Sequence, residues 1–320
     1  MRVSTVILCI ALAVGLVPAA AHARSKAPVE PYHGLATWVD IYDAKPWRRP
    51  ERTIDRLRAK GVRTLYLQTS NWQTRSGLKR PASIGRFLDA ARAKDIKVVA
   101  WYVPSFEEPS IDLKRSLKAI RFRTRKGGRF DSFAMDIEAV NVRNIYKRNA
   151  RLMRLSRGVR AEVGADYPLG AIIPDPKTQR YWPRFPYRGV AQLYDVFLPM
   201  SYFTFRTKGY DNVYKYTRAS LKIIRRRTGR RDVPIHVIGG LAGDASRGEV
   251  KAFTKGVREH GAVGASLYDL PLMTPRDWGI MTKIDRDPRR RPKERPAPEV
   301  APRFARHGSS SARSISRLYL

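Results

Sequence analysis

Phe130 to Val140 reads Phe-Asp-Ser-Phe-Ala-Met-Asp-Ile-Glu-Ala-Val, an apolar run that ends in two carboxylates, Asp136 and Glu138. Burying a carboxylate is costly unless it is paired or used. Along a strand, side chains alternate between faces, so Ser132, Ala134, Asp136 and Glu138 share one face. Phe133, Met135 and Ile137 share the other, which must pack against neighbouring elements. Two carboxylates on one small, polar face push their pKa values apart, and one keeps a proton as an acid. That is the chemistry of general acid–base catalysis. The bland alternative is a salt bridge to one of the many arginines. Asp131 has the opposite parity and sits at the strand's start, so its expected role is structural, in a hydrogen-bonded turn.

Such a strand needs partners, and the chain supplies them. Apolar runs at 34–41, 62–68, 96–103, 130–138, 168–173, 194–202, 233–239 and 262–269 read as strands. Helical patterns near 50–60, 81–94, 110–120, 143–163, 211–228 and 246–260 lie between them, with a short proline-broken segment near 181–192. Ser246 with Glu249 signals a capping box, and Gly61 fits a helix stop. Eight strands alternating with helices predict an α/β fold, a (β/α)8 TIM barrel. The run 168–173 is its weakest member. A doubly wound sheet is the alternative, but no Gly-rich phosphate loop follows the first strand.

In a barrel, function gathers at the carboxyl ends of the strands. Those ends carry Trp38, Asp40 and Asp43; Gln68, Asn71 and Trp72; Trp101 and Tyr102; Asp136 and Glu138; Asp175; Met200 and Tyr202; and Tyr268 and Asp269. Aromatic faces stack on pyranose rings while polar groups take the hydroxyls, so a sugar suits this set. Asp136 and Glu138 are the expected catalytic pair. Trp38, Asp40, Gln68, Trp101, Tyr102, Met200, Tyr202, Tyr268 and Asp269 are the expected substrate contacts. His236, inside strand seven, reads as a core histidine.

The segment Asp131-Ser132-Phe133-Ala134-Met135-Asp136-Ile137-Glu138 resembles the strand-four signature of glycoside hydrolase family 18, the chitinase type. Pro199-Met200-Ser201-Tyr202 resembles that family's strand-six motif. The resemblance implies that Glu138 is the general acid, that Asp136 orients the substrate's N-acetyl group, and that Tyr202 contacts it. It implies a retaining mechanism in which the substrate's own acetamido oxygen attacks the anomeric carbon, outside the two-carboxylate scheme. The departures are Ala134 for the middle aspartate, Ser132 for glycine, Phe203 after the tyrosine, and Tyr268 for the strand-eight tryptophan. Ala134 removes support from Asp136, which leaves a non-catalytic, lectin-like carbohydrate-binding barrel as an alternative. Family 25 lysozymes are also similar, with Asp-x-Glu on a strand and an aspartate near the first strand, here Asp40 or Asp43.

Composition narrows the classes. Cys9 is the one cysteine, so disulfide and thiolate chemistry are excluded downstream of it. His22, His33, His236, His260 and His307 show no metal-ligand spacing, and no metal or cofactor is expected. No Gly-x-Ser-x-Gly elbow is present. Arg2, the apolar run from Val3 to Val17 and Ala21-His22-Ala23 read as a signal peptide, 1–23, with an uncleaved anchor as the alternative. A flexible segment, 24–32, should precede the barrel at 33–284. The Arg/Pro/Ser-rich tail, 285–320, reads as disordered. The protein is therefore expected outside the cytoplasm, secreted or at the cell surface, as a monomer with a polysaccharide substrate. A net charge of +35 draws it to polyanions such as wall polymers or anionic lipid surfaces. The bland reading is charge spread over solvated helices. No nucleic-acid-binding motif is present.

Overall fold

The computed structural model describes residues 27–178 and 180–286. The expected signal peptide, and all but the first two residues of the expected tail, lie outside the described residues.

All eight apolar runs form strands: β1 (Gly34–Val39), β2 (Thr64–Asn71), β3 (Lys97–Val103), β4 (Ser132–Asp136), β5 (Leu169–Ile173), β6 (Val196–Pro199), β7 (His236–Leu241) and β8 (Gly264–Tyr268). They pair in parallel in the order β6-β5-β4-β3-β2-β1-β8-β7. Single bridges, Phe197 to Ile235 and Met200 to Ile238, join β6 to β7. The Phe197 N–H also donates to the Pro234 carbonyl at 3.0 Å, and the sheet closes into a barrel.

The helices are α1 (Ala44–Arg48), α2 (Pro50–Ala59), α3 (Pro81–Ala93), α4 (Pro109–Ile120), α5 (Ile145–Val163), α6 (Tyr187–Leu193), α7 (Tyr210–Thr228), α8 (Arg247–Glu259) and α9 (Pro275–Met281). Proline opens α2, α3 and α4, where a missing N–H costs nothing and the fixed φ is already helical. Ser246 and Glu249 form the expected reciprocal cap on α8. Gly61 stands just past α2 at φ 70°, a left-handed turn that favours glycine. The pattern did not reveal α1 and α9. Each is too short to establish a 3.6-residue period.

Two apolar layers follow from strand parity. Phe133, Met135 and Ile137 pack outward with the helices, while Ala134 faces the barrel interior with Tyr66, Trp38 and Trp101. Trp38 stacks on Tyr66 at 4.1 Å between ring centres. Its indole N–H donates to Ser266 Oγ at 2.8 Å. Ser266 can then donate to His236 Nε2 at 3.1 Å, and His236 Nδ1 donates to the Tyr32 carbonyl at 2.9 Å. Burial pushes His236 down to about 4, so the ring stays neutral and both nitrogens serve the scaffold.

Tyr32 corrects one expectation. The segment 24–32 was expected to be loose, yet Tyr32 is fully buried as the barrel's floor. Its hydroxyl lies 2.6 Å from Ser132 Oγ, and its ring fills the space a side chain at Gly170 would need. A charged, polar segment hid one anchoring aromatic. At the other end, the 3-10 turn Thr282–Arg286 is ordered, and the Leu35 N–H donates to Asp285 Oδ2 at 3.4 Å. Packed structure thus extends past the 33–284 boundary at both ends. Among the described residues no helix is long and apolar enough to cross a membrane.

Candidate active site at the barrel mouth

β4 ends at Asp136, and the chain leaves the ladder with Glu138 two residues on. Asp136 is 5% exposed, and its Oδ1 has no hydrogen-bond partner. Burial first, and then the charge of Glu138, push its carboxyl far above the usual range. Burial and the neighbouring charge of Glu138 thus both favour the protonated form of Asp136.

Tyrosines surround the pair. Burial, together with the charges of Glu138 and Asp136, pushes the Tyr202 hydroxyl up, so it stays a neutral phenol facing both carboxylates. Tyr202 packs 6.2 Å from Tyr268, and Tyr268 lies 6.4 Å from Trp38. Trp101 meets Trp38 edge-on at 5.7 Å, and its indole nitrogen is buried without a partner. Met200 lines the same interior. Ser201 Oγ and Ser70 Oγ are also buried without partners. Unpaired buried donors and acceptors such as these are what a polar ligand at the mouth would satisfy.

Asp40, Asp43 and Asp269 form a second acidic group. Asp40 Oδ1 accepts from the Tyr42 N–H at 2.6 Å, and Oδ2 accepts from the Tyr268 hydroxyl at 3.0 Å. Asp43 Oδ2 accepts from the Asp40 N–H at 2.9 Å. Burial, then Asp40 and Asp269, push Asp43 up to about 7. Burial and Asp40 push Asp269 up to about 6. One oxygen from each lies within 4.8 Å of the others, so these are the described residues that could share a hard cation.

One expected sugar contact lies elsewhere, and a second also braces the backbone. Tyr102 does not reach the mouth. It has the opposite parity to Trp101, packs in the outer layer, and donates its hydroxyl to Asp112 Oδ1 at 2.5 Å. Gln68 is buried, and its Oε1 accepts from the Ile41 N–H at 2.9 Å, which braces the loop after β1. Asp131 sits at the opposite end of β4, where Oδ2 accepts from the Val98 N–H at 2.8 Å. Asp175 is spent on Thr178, Tyr216 and the Lys177 N–H.

Sequence reasoning missed Tyr181. It lies on the loop between β5 and α6, and burial with the nearby charges of Glu138 and Asp136 pushes its hydroxyl up. The clue was an aromatic pair between prolines in a loop that leaves a strand's carboxyl end.

No protein-family profile matches the chain, and no curated protein matches it in sequence. Solved structures do match. A chitinase from Bacteroides thetaiotaomicron is 13% identical with a TM-score of 0.60, over 82% of this chain and 99% of that one. The spore cortex-lytic enzyme SleL of Bacillus cereus is 11% identical with a TM-score of 0.58, over 78% and 74%. An endo-beta-1,4-mannanase from Thermotoga petrophila is 9% identical with a TM-score of 0.58, over 75% and 68%. At such identities the likeness establishes the fold, an eight-stranded parallel barrel ringed by helices.

Proposed function

We propose that this protein is an exported glycoside hydrolase that acts on an N-acetylated or cell-wall polysaccharide. The observation that carries the reading is Asp136, buried beside Glu138 with one oxygen unpaired, at a mouth walled by Tyr202, Tyr268, Trp38 and Trp101. Carboxylates sharing a proton, set among aromatic faces, match what cleaving a sugar linkage requires. The named barrels of similar fold are a chitinase, a mannanase and a cortex-lytic enzyme, which favours a polysaccharide substrate.

In this reading Glu138 donates a proton to the glycosidic oxygen as the bond to the leaving sugar breaks. The acetamido oxygen of the substrate attacks the anomeric carbon from the other face. Asp136 accepts from the acetamido N–H, and Tyr202 donates to the acetamido oxygen. Glu138, now a carboxylate, takes a proton from water, which opens the cyclic intermediate. Ala134 leaves Asp136 without the carboxylate that the resemblance places behind it, in keeping with the unpaired Oδ1. The same observation favours one second reading, a barrel that binds glycan without cutting it.

The test is product release from chitin oligomers and from purified peptidoglycan. Cleavage of the oligomers supports acetamido assistance. Release of muropeptides alone supports a lysozyme-like route. Binding of either glycan without any product supports the binding barrel.

A further inference from the structure

Three carboxylates converge at the mouth from segments far apart in the chain. Asp40 and Asp43 stand on the loop after β1, and Asp269 directly follows β8. The parallel pairing of β1 with β8 brings them together. One oxygen from each lies within 4.8 Å of the others. Ca2+ holds its oxygens at about 2.3–2.6 Å, so opposite ligands stand about 4.6–5.2 Å apart. The three oxygens therefore fit on one Ca2+ coordination sphere.

Carboxylates that merely lie close together do not make a site, and Asp269 supplies the second observation. It is 6% exposed, and its Oδ1 is buried with no hydrogen-bond partner. A buried carboxylate oxygen without a partner is costly unless a ligand meets it. This side chain is turned toward two other carboxylates rather than toward a cation. Among the described residues none of the three forms a salt bridge, in a chain with 63 lysines and arginines. Two cations do reach the loop after β1, but they are engaged there. Lys79 lies 5.0 Å over the Tyr42 ring, and Arg80 donates to the Ile41 carbonyl at 3.3 Å.

We propose that Asp40, Asp43 and Asp269 bind one Ca2+, with water completing its shell. The ion clamps the loop after β1 to the end of β8, beside the wall that Tyr268 shares with Trp38. Histidine spacing gave no sign of this site because its ligands are carboxylates, brought together only when the barrel closes. The inference concerns ion binding and stands whether or not the mouth cuts sugar.

The test titrates the full chain, stripped with chelator, with CaCl2 and with MgCl2, followed by calorimetry and melting temperature. Terbium, a hard cation that emits when an aromatic ring lies close, is the second probe; Tyr268, bonded to Asp40, is its antenna. A net charge of +35 repels free cations, which suppresses adventitious binding elsewhere. The parent should bind one Ca2+ saturably and more tightly than Mg2+, and melt higher in Ca2+ than in chelator. Ca2+ should displace the emitting terbium. Asp269→Asn should bind Ca2+ at least about tenfold more weakly. Asp55→Asn, at an exposed α2 carboxylate paired with Lys94, should stay within about twofold of the parent. No saturable binding at millimolar Ca2+, tighter binding of Mg2+, or equal affinities in the parent and Asp269→Asn overturns the proposal. Should Asp269→Asn fail to fold, Asp43→Asn is read in the same way. The unmutated chain gives a further decision, since terbium emission that Ca2+ does not displace also overturns it.

Discussion

Tyr268 donates its hydroxyl to Oδ2 of Asp40 across 3.0 Å, tying the end of β8 to the loop after β1. The same ring stands between Trp38 and Tyr202, so one side chain positions both the acidic group and the aromatic wall. Tyr268→Phe keeps the wall and removes the bond. It should cost about 1–2 kcal/mol of stability, read as a lower midpoint in urea unfolding. Tyr268→Ala should also weaken glycan binding, which Tyr268→Phe should largely preserve. Equal binding losses in the two would mean the hydroxyl, not the ring, meets the sugar.

Much of this arrangement was legible in the sequence. Parity along 130–138 placed Asp136 inward and Phe133 outward, because strand alternation is rigid geometry. The eight apolar runs were readable because strands buried on both faces need continuous apolar residues. Tyr102 was misread because a list of strand ends ignores parity: it neighbours Trp101 and so must face the other way. The brace from Gln68 Oε1 to the Ile41 N–H was not legible, because a backbone N–H in a loop is marked by no residue pattern. Tyr181 sits in an irregular loop whose path depends on tertiary packing.

Gly264 tests the floor. A Cβ there would lie 2.5 Å from the Tyr32 carbonyl oxygen and 2.6 Å from that of Gly34, both backbone atoms. Gly264→Ala should destabilise the barrel by about 1–3 kcal/mol. Gly279→Ala, with open space around it, is the matched control and should be nearly silent. Indistinguishable thermal midpoints would mean the floor is not packed as described.

The acidic group makes stability depend on pH. Asp43 is raised to about 7 in the folded protein, so its contribution is fully present below its unfolded value near 4 and is lost as pH rises through about 7. Asp43→Asn keeps an acceptor for the Asp40 N–H and removes the repelled charge. Its stability should match the parent's at pH 4 and exceed it at pH 8, by on the order of 1 kcal/mol after solvent screening, read as a higher melting temperature. Chelator in the buffer keeps stray cations from masking the difference. A variant less stable at pH 8 would show that the carboxylate is attracted there rather than repelled.

The carboxylate pair sets the pH dependence of turnover. Raised by burial and by Glu138, the Asp136 carboxyl favours a protonated pair that loses its proton as pH climbs. The rate should therefore fall on the alkaline side. Asp136→Asn removes the charge that opposes ionisation of Glu138, so the alkaline limb of kcat/KM should move about one unit lower while the rate drops. An unmoved limb would separate Asp136 from the proton that matters.

The most direct measurement is product release from chitin oligomers by the parent and by Glu138→Gln, with oligomer binding measured on both. The account predicts release by the parent, a loss of at least about a hundredfold in Glu138→Gln, and binding retained in both. Full activity in Glu138→Gln would contradict the assignment of Glu138. No release by the parent from these oligomers or from peptidoglycan, with equal binding by both proteins, would contradict hydrolysis itself.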